Sequence, residues 1–589
     1  MKFFKGLAVL FAAILSVLPL AACKNSDKKD GVLYLNVYNC EDYIADDEDF
    51  DMIEEFEKYY KEKFGKTVVV NYSTFGTLEN MYNELQLSKV KQKDGTFNYA
   101  YDLVCASDYM IEKMYVEGML EKFDYTVAEG KEGNMSAYLN NVSAYVYDLF
   151  NSTRWSDTSS DTWGDYAAAY MYGTMGFVYN PEVLGRSGEY VEGDAEHWDL
   201  PWKTYSKNLG TIKDSIRDTY ALAIGYVYSD ELSKIRADYK GCKMTEEEYK
   251  AKVNEIFNRT DKETVDKVTD ALIVLKQNVY GFEVDSGKRD MAAGKIAINF
   301  AWSGDAVYTL DLAEVEDTEL YYAVPEEGSN VWFDGWAMPR GANKMLAQEF
   351  VNFLSVPENA VHNMNFIGYT PAIAGETLYE NCVDWYGEFI LVEDEEGGFE
   401  IDGKKYSDCH VGEFFNKDCE YVGETPDFYE SYKNEEGNLV IKNALIPEYG
   451  DDDETIVGYE EVEELTLYPY DVSFLMNSRE DVAAGKKDYV VWTSVLGRQL
   501  TTQYPDEDTI SRCSIMRYFN DTEMKRLNDM WDEVKISAVP VWLMWLIVAI
   551  IIVTVISVPL FTYLNKKGVR FVFKRKNKNL TPVSRQIIK

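Results

Sequence analysis

Residues 101–109 read YDLVCASDY, and this stretch decides the fold. An apolar run of strand length is followed at once by polar residues and by the spacing of a helix. Working outward, apolar runs at 32–37 and 67–70 predict two earlier strands, each also followed by a helical pattern. Three strand–helix repeats indicate a parallel sheet with right-handed crossovers. Ligands of such sheets bind at the carboxyl ends of the strands, so residues 39–43 and 107–109 are expected on one rim.

A second α/β region is predicted from near Trp155 to about Ala323, with a strand at 296–301. The segment from 375 to 470 differs from both regions, because it holds 28 acidic residues against 5 basic ones. Its hydrophobic pattern is patchy and it contains several glycines. These features together indicate an inserted and highly solvated segment.

The N-terminal end predicts export. A short positive region, an apolar stretch from Leu7 to Leu20 and small residues after it are typical of a signal peptide. Residues 20–23 read LAAC and resemble a bacterial lipobox, so lipid attachment at Cys23 is expected. An ordinary signal with a chance cysteine is the alternative.

The C-terminal region carries no charge between Lys535 and Lys566. An apolar helix of roughly 26 residues covers about 39 Å, enough to span a bilayer with some tilt. The basic residues after it, with no acid among them, predict a cytoplasmic tail.

The predicted parts of the chain are a lipoprotein signal peptide at 1–22, a first α/β lobe at 31–154 and 324–374, a second α/β lobe at 155–323 and 501–535, the acidic insertion at 375–500, a transmembrane helix at 538–564 and a basic cytoplasmic tail at 565–589.

The composition excludes several classes of function. Acidic residues number 101 against 59 basic ones, for a net charge of −42, and such a surface repels nucleic acid. Histidines number 3, so a histidine-rich metal site is not expected, and no cofactor motif or catalytic signature is found. We therefore expect no metal, no cofactor and no enzyme. The cysteines other than Cys23 leave both a disulfide and free thiols open.

Short segments that combine aromatic rings with carboxylates carry the recognition chemistry. Aromatic faces attract cations, and carboxylates bind them through charge-assisted hydrogen bonds. A linear polyamine requires both, with carboxylates at its ammonium groups and flat apolar walls along its methylenes. The segments are YNCEDY at 38–43, ASDY at 106–109, AWSGD at 301–305 and VWFD at 331–334, with DSIRD at 214–218 and IGYTP at 367–371.

Taken in order, these segments resemble the spermidine/putrescine-binding receptors of polyamine ABC importers, which are type II solute-binding proteins. The resemblance covers about 33–372 and resumes at about 504–535. It implies an α/β fold of two parallel-sheet lobes and a hinge, to which this chain adds the acidic insertion and one C-terminal transmembrane helix. It also implies a receptor that captures putrescine or spermidine outside the cell and delivers it to an ABC permease with its ATPase. The expected membrane contacts are lipid at Cys23 and the helix 538–564.

The resemblance implies roles for individual side chains as well. Asp42 and Tyr43 belong to the first wall, Ser107 and Tyr109 to the neighbouring loop, Asp218 binds an ammonium, Trp302 and Trp332 sandwich the methylenes, Asp334 pairs with an ammonium, and Tyr369 closes one side. Cys40, Ser215 and Phe519 depart from the family pattern. The departures leave fewer acids at one end, which favours a diamine such as putrescine.

Several alternatives stay open at this point. The same fold could bind another organic cation, or a sugar stacked on the same tryptophans. A surface adhesion or sensory protein could use the acidic insertion to contact a partner, and an extracellular hydrolase is a more distant possibility. At the level of single residues, Arg217 could pair with Asp218, and Asp108 and Asp305 could cap helices.

Overall fold

The computed structural model describes residues 31–47, 50–125, 135–155, 159–284, 286–315, 318–422, 430–450 and 455–537. Its strands are β1 Val32–Cys40, β2 Thr67–Phe75, β3 Val90–Lys91, β4 Phe97–Asn98, β5 Leu103–Ser107, β6 Leu120–Glu121, β7 Ala167–Tyr179, β8 Gly210–Lys213, β9 Gly281–Glu283, β10 Ile298–Trp302, β11 Tyr321–Ala323, β12 Val331–Pro339, β13 Thr370–Pro371, β14 Phe389–Glu393, β15 Phe399–Ile401, β16 Lys404–His410, β17 Glu430–Lys433, β18 Leu439–Tyr449, β19 Ile456–Asp471 and β20 Val490–Thr493.

The helices of the described chain fall mainly between these strands. They are Met52–Phe64, Leu78–Ser88, Asp108–Val116, Ser136–Asn141, Ala144–Ser152, Pro181–Gly185, Ile216–Val227, Ser229–Lys240, Glu246–Phe257, Lys262–Lys276, Gly287–Ala292, Ser303–Glu314, Lys344–Leu354, Pro357–Ile367, Glu376–Tyr386, Ser473–Met476, Arg479–Ala484, Gln499–Gln503, Glu507–Ser511 and Asp521–Ile536. The chain through Met530 forms one unit, and the structure describes only residues 531–537 of the second.

Local sequence accounts for the boundaries of these elements. The helix Met52–Phe64 begins after Asp51, whose carboxylate accepts hydrogen bonds from the first backbone N–H groups. It ends at Gly65, which has a φ of 64°, a left-handed conformation that glycine adopts without strain. Strand β5 is a run of four buried residues, as expected for a strand covered on both faces.

One mixed sheet, ordered β2-β1-β5-β12-β7-β10-β8-β9, connects both lobes. β2, β1 and β5 are parallel in the first lobe, as are β10, β8 and β9 in the second. The long strand β7 belongs to both lobes: Ala167–Thr174 pairs with β12, and Met175–Tyr179 pairs with β10. This shared strand carries the chain from one lobe to the other, so the predicted two-lobed fold is confirmed. β7 and β12 run antiparallel to their neighbours in this sheet.

The acidic segment folds into sheets of its own. β14, β16 and β15 form one antiparallel sheet, and β17, β18, β19 and β20 form another. Ile390, Val411, Ile441, Leu467 and Trp492 are among the buried residues of a separate core between them. The helix Glu376–Tyr386 instead contributes Leu378 and Cys382 to the main core. The cysteines of the described chain, including Cys382, Cys409 and Cys419, are free thiols.

The fold class predicted from the sequence is wrong in one part, the C-terminal transmembrane helix. Within the described ranges, no helix has both the length and the apolar character that a bilayer crossing requires. The segment 538–564 lies outside the described residues, as do the signal peptide 1–22, Cys23 and the tail 565–589. The corrected fold class is a two-lobed α/β fold with an acidic β-rich insertion.

Candidate functional site

The candidate site lies where strands of both lobes end. β5 has four buried residues and then Ser107, which immediately precedes the helix Asp108–Val116. β10 repeats this arrangement, with four buried residues, then Trp302, then the helix Ser303–Glu314. Because each strand passes directly into a helix, its last side chain stays partly accessible at the rim of the sheet. Ser107 and Trp302 therefore occupy the strand ends at which α/β folds bind ligands.

Asp334 lies on β12, directly opposite Ser107 of β5 in the antiparallel register. The Tyr43 hydroxyl donates a 2.7 Å hydrogen bond to Asp334 Oδ2. The other carboxylate oxygen, Oδ1, is buried and accepts no hydrogen bond from any described residue. A buried polar atom without a partner costs free energy, so Oδ1 marks a place for a donor from outside the chain.

The electrostatic environment of Asp334 also favours a positively charged donor from outside the chain. Burial raises the pKa of this carboxyl above its usual range, and the nearby hydroxyls of Ser107 and Tyr43 oppose that rise. Within the described part of the chain, no lysine or arginine forms an ion pair with Asp334. The ionised form is therefore uncompensated, and a positive group brought next to it gains a strong interaction.

Three aromatic rings surround this carboxylate. The rings of Tyr43 and Tyr369 meet edge-to-face with centroids 5.9 Å apart. The Trp332 indole meets Tyr369 in the same manner, at 5.3 Å. The indole nitrogen of Trp332 is buried and donates to no described residue. The structure thus brings together five of the residues predicted for the site, namely Tyr43, Ser107, Trp332, Asp334 and Tyr369.

A second charged cluster adjoins the first through Tyr369, whose hydroxyl donates to Asp305 Oδ1 at 3.2 Å. Asp305 Oδ2 accepts a 2.9 Å hydrogen bond from Lys213 Nζ, and Glu283 lies 3.5 Å from the same ammonium. The ammonium also lies 4.4 Å from the centroid of the Trp302 ring. Trp332 and Trp302 consequently stand at the two ends of one continuous chain of contacts.

Asp218 belongs to this second cluster. Its backbone N–H donates a hydrogen bond to the side chain of Ser215, which caps the start of the helix Ile216–Val227. Burial raises the pKa of the Asp218 carboxyl, while Ser215 and Lys213 act in the opposite direction. Arg217 forms no ion pair with Asp218, although its charge helps to lower the pKa of that carboxyl. Its guanidinium lies 3.9 Å from the Tyr109 ring centroid. Tyr109, on the first lobe, and Arg217, on the second, therefore contact each other across the cleft.

Asp42 lies apart from these clusters. It follows β1 in an exposed turn and has a φ of 51°, in the left-handed region. An exposed carboxylate is screened by water and salt, so its pull on a cation is weaker than that of a buried one. The role predicted for Asp42 stays a prediction.

The family of bacterial extracellular solute-binding proteins matches residues 51–382, which is more than half of the chain. The chain belongs to this family. The predicted kind of protein, a binding protein for a solute outside the cytoplasm, is thereby confirmed.

Relatives of this solute-binding protein include two curated periplasmic receptors. The spermidine/putrescine-binding periplasmic protein of Salmonella typhimurium is 27% identical over 371 residues, covering 63% of this chain and 85% of that protein. The putrescine-binding periplasmic protein PotF of Escherichia coli is 26% identical over 350 residues, covering 57% and 77%. Among solved structures, the spermidine/putrescine ABC transporter substrate-binding protein PotD of Streptococcus pneumoniae is 20% identical, with a TM-score of 0.47, and covers 86% of this chain and 99% of its own.

Sequence reasoning missed two features of the site in this solute-binding protein. Lys213 ends a short buried strand and is buried together with Asp305. Their pairing depends on long-range contacts, which local sequence patterns do not predict. For Asp305, the sequence pattern favours a helix cap and does not indicate a lysine partner. Gly173 was overlooked as well: a Cβ there would lie 2.6 Å from Trp332 Cζ2 and 2.5 Å from Ser303 Oγ. The segment YGTMG at 172–176 carries that signal, because a glycine within a buried strand often marks a close approach.

Proposed function

We propose that this solute-binding protein is the receptor of a polyamine ABC importer, and that it captures putrescine or spermidine outside the cytoplasm. Three observations support the proposal. The chain belongs to a solute-binding family, and curated relatives carry the names of polyamine receptors. The cleft joins aromatic rings to carboxylates, the two kinds of group that an alkyl diammonium requires.

The observation that carries the proposal is the buried, unpartnered oxygen Oδ1 of Asp334. An ammonium group donates three hydrogen bonds and accepts none, so it complements this atom in both charge and hydrogen bonding. The rings of Trp332 and Tyr369 offer flat apolar surface beside it for the methylenes next to the ammonium. A neutral ligand would satisfy the hydrogen bond but leave the buried charge uncompensated.

A second ammonium has a matching acceptor in the other lobe. Asp218 lies in the charged cluster near Trp302. Lys213 and Arg217 attract its carboxylate, but neither forms an ion pair with it, and Lys213 pairs with Asp305 and Glu283 instead. One carboxylate on each lobe allows a diamine to bridge the cleft. Bridging then favours the closed arrangement of the lobes, and exclusion of water strengthens both ionic contacts.

The proposed activity is capture and delivery without chemical change to the solute. The closed lobes would be the form that an ABC permease with its ATPase accepts. Lipid attached to Cys23, as the segment LAAC suggests, would hold the receptor at the membrane surface. No catalytic step is part of the proposal.

Titration calorimetry on the purified full-length chain tests the proposed function. We expect saturable binding of putrescine or spermidine with a stoichiometry near one, and weaker binding of butylamine because it has a single charge. The matched neutral compound, 1,4-butanediol, should produce no measurable heat. Absence of binding by both polyamines, together with binding of a sugar or another cation, would reject the proposal.

The raised pKa of Asp334 predicts a pH-dependent affinity. A raised pKa means that protonation of this carboxyl stabilises the unliganded fold at low pH, a contribution lost as the pH rises through that pKa. Ligand binding has the opposite dependence, because the ammonium requires the ionised form. As the pH is lowered, we expect putrescine affinity to fall by up to about tenfold per pH unit. The fall should begin at a pH above the ordinary aspartate pKa of about 3.9.

Proton release measures this dependence directly. Binding should release protons from Asp334, and from Asp218, whose pKa is also raised. The heat of binding will then depend on the ionisation enthalpy of the buffer. Asp334→Asn should remove part of this release. An affinity that stays constant down to the ordinary aspartate range contradicts the prediction.

A further inference from the structure

Lys213 occupies an unusual position for a lysine. It ends β8 with its side chain 2% exposed, so the ammonium is removed from water. Lysines are almost never fully buried unless they are paired, and Lys213 is paired with two acids. Asp305 lies 2.9 Å from the ammonium and Glu283 lies 3.5 Å from it. Burial lowers the pKa of Lys213, but Asp305 and Glu283, with a smaller contribution from Asp218, raise it by more, so the group is charged.

The ammonium lies where it can face the binding cleft. Its distance to the centroid of the Trp302 ring is 4.4 Å, which is the geometry of a cation–π contact. Trp302 is partly accessible at the end of β10. The position over this ring is therefore already occupied by a positive charge that belongs to the protein.

The surrounding carboxylates fall into two groups. Asp305 is held by Lys213 and also lies 3.5 Å from Lys288. Glu283 is held by Lys213 and accepts hydrogen bonds from the Gly287 N–H and the Asn299 amide. Asp218 feels the charges of Lys213 and Arg217, which lower its pKa, but no described residue forms an ion pair with it. Together with Asp334, whose Oδ1 has no partner, the cleft thus offers two carboxylates that no described lysine or arginine holds in an ion pair.

We infer that Lys213 is a specificity-determining residue, a built-in cation that fills one ammonium position and restricts the solute to two charges. The inference rests on the proposed function and deepens it. A diamine pairs its ammonium groups with Asp334 and Asp218. A triamine would bring a third ammonium toward Lys213, where like charges at short distance in a water-poor site repel strongly.

Lys213→Met tests the inference, because methionine keeps most of the apolar stem and removes the charge. Asp305 and Glu283 would then be free to hold an added ammonium. We expect the ratio of spermidine affinity to putrescine affinity to rise at least tenfold over the wild-type ratio. Lys213→Arg retains the cation and should keep the wild-type ratio within about threefold.

Lys288→Met is the matched control, since Lys288 contacts the same aspartate but keeps Lys213 in place. Its ratio should also stay within about threefold. Removal of a buried cation can destabilise the fold, so thermal unfolding of each variant is measured alongside. If Lys213→Met does not fold, Lys213→Met/Asp305→Asn removes both charges of the pair, and the ratio should still rise at least threefold.

The outcomes separate the inference from the proposed function. Wild-type protein that binds neither polyamine rejects both. Wild-type protein that binds putrescine, with an unchanged affinity ratio in the folded Lys213 variant, rejects the specificity role alone and leaves Lys213 a structural residue. A rise in the ratio for Lys288→Met equal to that for Lys213→Met also overturns it, because the effect would then reflect net charge rather than position.

Discussion

Asp334→Asn should weaken putrescine binding by about 30- to 1,000-fold, the largest effect expected of any single substitution in the site. Loss of one partner of a buried charge pair costs about 2–4 kcal/mol, which corresponds to that range. The asparagine side chain has nearly the same shape, and its amide oxygen can still accept the hydrogen bond of Tyr43. Calorimetric titration of both proteins at pH 7 measures the difference.

Stability without ligand distinguishes a binding role for Asp334 from a structural one. The wild-type carboxylate is buried and uncompensated, so its replacement by a neutral amide should leave the unliganded melting temperature unchanged or higher. Putrescine should raise the melting temperature of the wild type and fail to raise that of the variant. If Asp334 were merely structural, the substitution would lower the unliganded melting temperature, and putrescine would still raise the melting temperature of the variant.

Asp402→Asn serves as the charge control for this experiment. Asp402 is an exposed aspartate of the insertion with a φ of 48°, and asparagine tolerates that conformation. We expect its effect on affinity to stay below twofold. A sugar-binding cleft would lose little affinity in Asp334→Asn, so a loss below threefold would favour that alternative over a dication.

Local sequence pattern predicts the strand ends of the fold well. The run that ends at Ser107 is buried and strand-like, and the next residue begins a helix, as the switch from apolar to polar residues indicates. Trp302 follows the same pattern on the second lobe. These positions depend on neighbours within a few residues, and short-range patterns carry that information.

Long-range features of the site are not visible in the sequence. The unpartnered oxygen of Asp334 results from packing of Tyr43, Ser107 and the rings around it, which lie far apart along the chain. Lys213 appears at the end of a four-residue strand, and only the tertiary structure brings it within 2.9 Å of Asp305. The core around Ile441 is not predicted from the sequence either, because the high net charge of this segment indicates a solvated insertion rather than a folded β-rich one.

The transmembrane helix shows a different limit of sequence reasoning. An uncharged apolar stretch suffices to predict a bilayer-spanning helix. The described helices include none suited to that role, and the stretch itself lies outside them. The correction leaves the cleft unaffected, because every residue of the two charged clusters lies within the described ranges.

Gly173→Ala should weaken putrescine binding by roughly 5- to 150-fold, the second largest effect expected of a single substitution. Gly173 lies on the shared strand β7, paired with Trp332 of β12. A methyl group there would lie 2.6 Å from Trp332 Cζ2 and 2.5 Å from Ser303 Oγ, so both must shift. Overpacking of this kind costs about 1–3 kcal/mol, and here the displaced group is a wall of the cleft.

Gly210→Ala is the matched control, because the nearest atom to its added Cβ would be Ile298 Cβ at 3.5 Å, an ordinary contact in the same sheet. It should bind putrescine within twofold of the wild type. Trp332→Phe removes the indole atoms that the new methyl group meets, while Ser303 Oγ stays in place. The double variant Gly173→Ala/Trp332→Phe should therefore lose less affinity than the two single effects predict together. Strict additivity would show that Gly173 acts through something other than the indole, and the role assigned here to its contact with Trp332 would then be wrong.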